Sequence, residues 1–123
     1  MSTVTGIKQF TNHTGTTIEV VWNDPQRESM FVPDGKPAKP HWNCTVPHAT
    51  SEERFAKHRI MIRRKGAPNL FIWQEAVPDH GDFCRYSEKG YEVPARAVDG
   101  DASPGGDRTC IIQKNGIPRF VKL

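Results

Sequence analysis

The residues best suited to chemistry are imidazoles and thiols in two short groups, His41-x2-Cys44-x3-His48 and His80-x3-Cys84. Zinc prefers neutral imidazole and thiolate as ligands, and copper accepts both. His41, Cys44, His48, His80 and Cys84 are therefore the candidate metal set, with zinc or copper as the cofactor it would hold. The spacing matches no standard zinc finger. Cys44 and Cys84 also fall in strand-like runs, where a thiol is ordinarily a small packed apolar group. Cys84 follows His80 and Asp82, and a thiolate beside a protonated imidazole is an activated nucleophile. The plainer reading of Asp79, His80 and Asp82 is a solvated turn.

Aromatic and basic residues carry the recognition chemistry. Trp22 and Trp73 have apolar neighbours and read as core, whereas Trp42 follows a proline-rich stretch between His41 and Asn43. An exposed indole there would stack on a sugar ring or a proline. His41, Trp42 and Tyr91 are thus the expected ligand contacts, against a competing reading in which Trp42 is buried. The densest positive run is Arg54, Lys57, His58, Arg59, Arg63, Arg64 and Lys65, close to Phe55 and Trp73. Single-stranded nucleic acid is held by such charges interleaved with rings. A strand, however, sends alternate residues to opposite faces, so these groups cannot form one patch. No RNA-binding motif accompanies them, and nucleic acid is not an expected partner.

Gly100 to Gly106 lacks the Lys-Ser/Thr of a phosphate loop. Asp99, Asp101 and Asp107 have oxygens suited to calcium without the spacing of a calcium loop. The sequons Asn12-His13-Thr14 and Asn43-Cys44-Thr45 read as chance matches. Three cysteines, an odd number and far apart, read as buried thiols and not as a disulfide framework.

The elements that must position these residues are strands. Ten prolines and ten glycines punctuate the chain at intervals that suit many short strands. Ile18, Val20 and Trp22 share one face of Thr17 to Asn23, and Glu19, Val21 and Asn23 share the other. Ile7 to Asn12 is its expected partner, and Met30 to Val32 an edge piece. The stretch from Pro33 to Pro40 reads as a surface loop. Strands are expected at Trp42 to Val46, Arg59 to Arg64, Leu70 to Gln74, Phe83 to Ser87 and Tyr91 to Val93. Thr109 to Gln113 and Ile117 to Val121 complete the set around Asn115-Gly116, the strongest hairpin signal in the chain. Pro118 marks an edge. The one helical segment is Thr50 to Lys57, with Thr50 or Ser51 as N-cap and Glu52 and Glu53 in the first turn.

About nine short strands in a chain of 123 residues predict an all-β, single-domain antiparallel β-sandwich spanning residues 1–123. An apolar fraction of 36%, a mean hydropathy of −0.63 and a net charge of +3 describe a polar surface without the high net charge of a disordered chain. The small positive charge weakly favours anionic partners and identifies none. No apolar run approaches the ~18 residues of a transmembrane segment. Met1 to Phe10 lacks the pattern of a signal peptide, which implies a cytoplasmic protein.

Phe10-Thr11-Asn12-His13-Thr14 followed by Ile18-Glu19-Val20-Val21-Trp22 resembles the opening of the von Hippel–Lindau β-domain. That family begins with a strand, an Asn-x-Ser/Thr turn and a strand ending near Trp. Lys57 to Ile62 is similar to its Gly-His-x-Trp strand, and Leu70-Phe71-Ile72 to the strand after it. The resemblance implies a β-sandwich. Of the family's hydroxyproline-binding residues only the His is matched, at His58, and Ile60 stands where the following aromatic would be. Fold likeness does not carry a ubiquitin-ligase role with it.

The expected function is a non-catalytic binding module. Loops Val32–His41, Ala76–Asp82 and Val98–Asp107 would present His41, Trp42 and Tyr91 to a carbohydrate, peptide or protein. No cofactor is expected in this reading. The alternative is a small metal-binding protein or enzyme using the His/Cys set. Unpaired strand edges add the expectation of a homo-oligomer.

Overall fold

The computed structural model describes residues 3–123. Among these residues, eleven strands form two sheets that pack face to face. The five-stranded sheet has the order β4 (Pro37–Ala38), β1 (Thr5–Asn12), β10 (Gly106–Ile112), β11 (Pro118–Lys122), β9 (Asp99–Gly100). The six-stranded sheet has the order β3 (Arg27–Val32), β2 (Ile18–Asn23), β5 (Arg59–Arg64), β6 (Leu70–Val77), β7 (Gly81–Ser87), β8 (Arg96–Ala97). A short helix, α1 (Glu52–Phe55), precedes β5. No helix among the described residues is long and apolar enough to cross a membrane.

Two-residue alternation builds the core. Ile18, Val20 and Trp22 of β2, Ile60 and Ile62 of β5, and Leu70 and Ile72 of β6 face inward from one sheet. Phe10, Cys110, Ile112 and Phe120 meet them from the other. In β1 the pairing with β10 shifts register between Ile7 and Gln9. That bulge lets Ile7 and Phe10, three positions apart, both face the core at 2% and 0% exposure.

The sandwich expected from the sequence is present, with two more strands than the nine expected and with mixed pairing. β1 runs parallel to β10, and β11 parallel to β9; the other ladders are antiparallel. The proline-rich loop contains β4, which pairs with Phe10 and Thr11. Trp42 to Val46 forms no strand beyond a single bridge from Thr45 to Gly6. Tyr91 to Val93 is likewise not a strand. Pro94 has no N–H to give to a ladder, and the return against β7 is made by Arg96 and Ala97 instead. The Val98–Asp107 loop holds β9 and the start of β10.

The outer face of the six-stranded sheet carries a second apolar cluster. Phe55 of α1 and Tyr91 and Ala95 of the segment after β7 close over Phe71 and Trp73 of β6. Trp73 is fully buried here, outside the inter-sheet core.

Candidate functional site

One run of chain crosses from sheet to sheet and sets up the site. Cys44 and Val46 bond to β1, through Ile7 N–H to Cys44 O at 2.7 Å and Val46 N–H to Thr5 O at 2.8 Å. From the very next residue the chain serves the other sheet: Gln74 N–H of β6 donates to Pro47 O at 2.8 Å and Ala49 N–H donates to Gln74 O at 3.1 Å. Ser51 then caps α1 by accepting from Arg54 N–H at 3.2 Å. The crossing delivers His48, Thr50 and Arg54 to the end of β6. On the other side, the turn from Pro78 to His80 places Asp82 opposite Ala76. Its residue Asp79 has φ +67°, which Asp tolerates better than most residues.

The result is an open cleft of about 450 Å³ lined by His48, Thr50, Arg54, Gln74, Glu75 and Asp82. Gln74 is 1% exposed. Its amide donates to Thr3 O at 3.2 Å and, at a long 3.5 Å, to Asp82 Oδ1. Its oxygen accepts from Thr5 Oγ1 at 3.3 Å.

Glu75 projects from the other face of β6 and is 5% exposed. Trp73 Nε1 donates to its Oε1 at 3.2 Å, and the Tyr91 hydroxyl donates to its Oε2 at 2.5 Å. Both donors are neutral and both rings are packed, so the carboxylate has a fixed direction. Burial, together with the bond to Glu75 and its negative charge, pushes the Tyr91 hydroxyl up to about 12. Beside it, Arg85 is 3% exposed and gives its guanidinium to the carbonyls of Glu75, His80, Gly81 and Ala95. A buried cation met by carbonyl dipoles ties the segment after β7 to the β6–β7 turn. Arg59 lies 5.0 Å and 4.9 Å from the Phe55 and Phe71 ring centres, a cation–π sandwich that spends its charge on packing.

The structure divides the expected ligand contacts. His41 is exposed, with Nε2 3.1 Å from Glu28 Oε2 and its ring edge-on to Trp42. Trp42 is half-buried against Trp22, at 6.3 Å between ring centres. Its Nε1 has no hydrogen-bond partner among the described residues. Tyr91 is on the opposite face of the six-stranded sheet, against Phe55, Trp73 and Glu75. His41, Trp42 and Tyr91 therefore do not form one site.

The metal set is dispersed as well. His41 is on Glu28, His48 lines the cleft and His80 is exposed in the β6–β7 turn. Cys44 and Cys84 join Cys110 in the inter-sheet core, and all three thiols are free. Among the described residues, no three His, Cys, Asp or Glu side chains are placed to hold a metal ion. Burial pushes Cys44 and Cys84 up to about 12 each, and Cys110 further up. Cys84 is 0% exposed, which puts its thiol among the packed core groups and out of reach of a substrate. Part of the basic run is engaged by partners: His58 Nδ1 is 2.6 Å from Asp24, Arg63 is 3.5 Å from Glu19, and Arg64 bonds Pro68 O and Glu88.

Compared with known proteins, the chain matches no protein-family model, no curated protein and no solved structure.

Glu75 is the residue that sequence reasoning missed. With β6 ended at Gln74 it fell in a loop, where an isolated Glu carries no signal. Trp73-x-Glu75 at strand spacing puts an indole donor and a carboxylate on one face, and that pairing was the available clue.

Proposed function

We propose that the chain is a non-catalytic binding module whose cleft takes a neutral, hydroxyl-rich ligand, a carbohydrate. The observation that carries this reading is Glu75, a nearly buried carboxylate aimed by Tyr91 and Trp73 and lining an open cleft. A carboxylate accepts about four hydrogen bonds, and these two donors leave capacity for a ligand's hydroxyls. Arg54 and His48 supply donors in the same opening, and Asp82 supplies further acceptors. Charges of both signs around one small volume suit a neutral partner that both donates and accepts, better than a strongly charged one. The size falls within the ~300–1,000 Å³ usual for small-ligand sites.

The test is a glycan screen followed by titration of the amide resonances. Binding is expected to move the amides of His48, Thr50, Arg54, Glu75 and Asp82. Arg54→Ala and Asp82→Asn, both at exposed positions, are expected to weaken it at least about tenfold each with the fold unchanged. A glycan that binds elsewhere, or a complete screen with no binding, would remove this reading.

A further inference from the structure

Three of the four outermost strands are short: β4, β8 and β9 have two residues each. The fourth, β3, has six residues in unbroken register with β2. Among the described residues no strand pairs with its other side. Arg27 to Val32 contains no proline, glycine or bulge to blunt the edge, and its charged residues, Arg27 and Glu28, stand at one end only. Phe31 is 68% exposed on this strand. It stands opposite Glu19 on the outer face of the sheet, with Arg27 and Ser29. Glu28, Met30 and Val32 lie on the core face, opposite Trp22, Val20 and Ile18.

We propose that β3 is a self-association edge: two copies of the chain pair their β3 strands antiparallel about a two-fold axis through Ser29, making one continuous sheet. A two-fold axis perpendicular to a sheet keeps outer faces outer. Residues placed opposite each other must then come from the same face, which leaves few registers. If Glu28 faced its own copy, like charges would oppose each other directly, which is destabilising. If Met30 faced its own copy, Glu28 would lie against the partner's Val32, which is 0% exposed. Arg27 would then lie opposite the partner's Pro33, which has no N–H to give.

With Ser29 facing its own copy, both conflicts vanish. Glu28 lies opposite the partner's Met30, and Arg27 lies opposite the partner's Phe31. The Arg27–Phe31 pair occurs twice by symmetry. It sets a guanidinium against an exposed ring, an attraction of either copy for the other. If Phe31 faced its own copy, Ser29 would lie opposite the partner's Pro33 and Glu28 opposite the partner's Asp34; if Arg27 did, like charges would meet. The strand is thus self-complementary in the Ser29 register.

A paired edge of this length is small beside standard interfaces, so the dissociation constant of the dimer is expected to lie above about 1 µM. Sedimentation of the full chain over a range of concentrations should show a monomer–dimer equilibrium. Phe31→Lys, at an exposed position, would face the partner's Arg27 and should raise the dissociation constant at least about tenfold. Register is read by single cysteines under mild oxidation, since Cys44, Cys84 and Cys110 are buried. Ser29→Cys should cross-link at least about tenfold faster than Glu28→Cys or Met30→Cys, because only opposed Cβ atoms come within disulfide reach. A monomer at every concentration overturns the proposal. So does fastest cross-linking at position 28 or 30, or indifference to Phe31→Lys.

Discussion

Glu75 and the three thiols show how little of this chain's chemistry follows from residue type alone. A carboxylate at 5% exposure would ordinarily be a liability, and Tyr91 and Trp73 offset that cost with two directed donors. The thiols went the opposite way. Cys44, Cys84 and Cys110 are shut between the sheets, where ionisation is opposed by desolvation. A group that holds its proton more tightly when folded stabilises fully below its unfolded pKa and loses that contribution as pH rises toward the folded value. For Cys44 and Cys84 that window runs from 9.0 to about 12, and Tyr91 adds to it from 10.0 to about 12. Each buried thiol removes about 1.4 kcal/mol per pH unit inside its window, and Tyr91 removes less because solvent screens it. The urea midpoint is therefore expected to be flat near neutrality and to fall steeply above pH 9. A midpoint unchanged between pH 8 and 11 would mean that the thiols are open to water.

At the level of elements, the five-stranded sheet depends on a few backbone positions. Gly100 of β9 has φ +74°, and a Cβ there would run into the carbonyl of Phe120 on β11. Gly100→Ala is expected to cost at least about 2 kcal/mol, because backbone cannot move aside as a flexible side chain would. Thermal denaturation measures it, and an unchanged midpoint would show that β9 is dispensable. Elements whose signal is local were legible in the sequence. The Asn115-Gly116 turn, with Gly116 at φ +86°, and the Ser51 cap are both where turn and cap chemistry put them. What was illegible depends on distant partners. The Cys44–Ala49 crossing has no periodicity because it serves one sheet and then the other. The spacing of Ile7 and Phe10 breaks alternation through a bulge that only β10 explains. Tyr91 to Val93 looks like a strand because Tyr91 and Val93 alternate around Glu92, yet Tyr91 is packed on the outer face. The cleft depends on that crossing and on β6 continuing past Gln74, so its members are far apart in the chain.

For the molecule as a whole, the two apolar clusters differ in depth. The inter-sheet core is closed by strands on both sides, whereas the outer cluster is roofed by the four residues of α1 and by the segment after β7. Regions with thin cover open locally at less cost than the whole chain does. Hydrogen exchange is expected to be slowest in β2, β5 and β10 and markedly faster in α1 and residues 88–95. Uniform protection would make the roof an inseparable part of the core. The pairing of β1 with β10 has another effect, one of timing. Thr5 lies beside Gly106, so β10, the central partner of the first strand, is synthesised only after β2 to β9 have been made. Until then Ile7 and Phe10 have no neighbour on that side, and closing so long a loop is slow. The nascent chain must carry an unsatisfied strand until β10 has emerged.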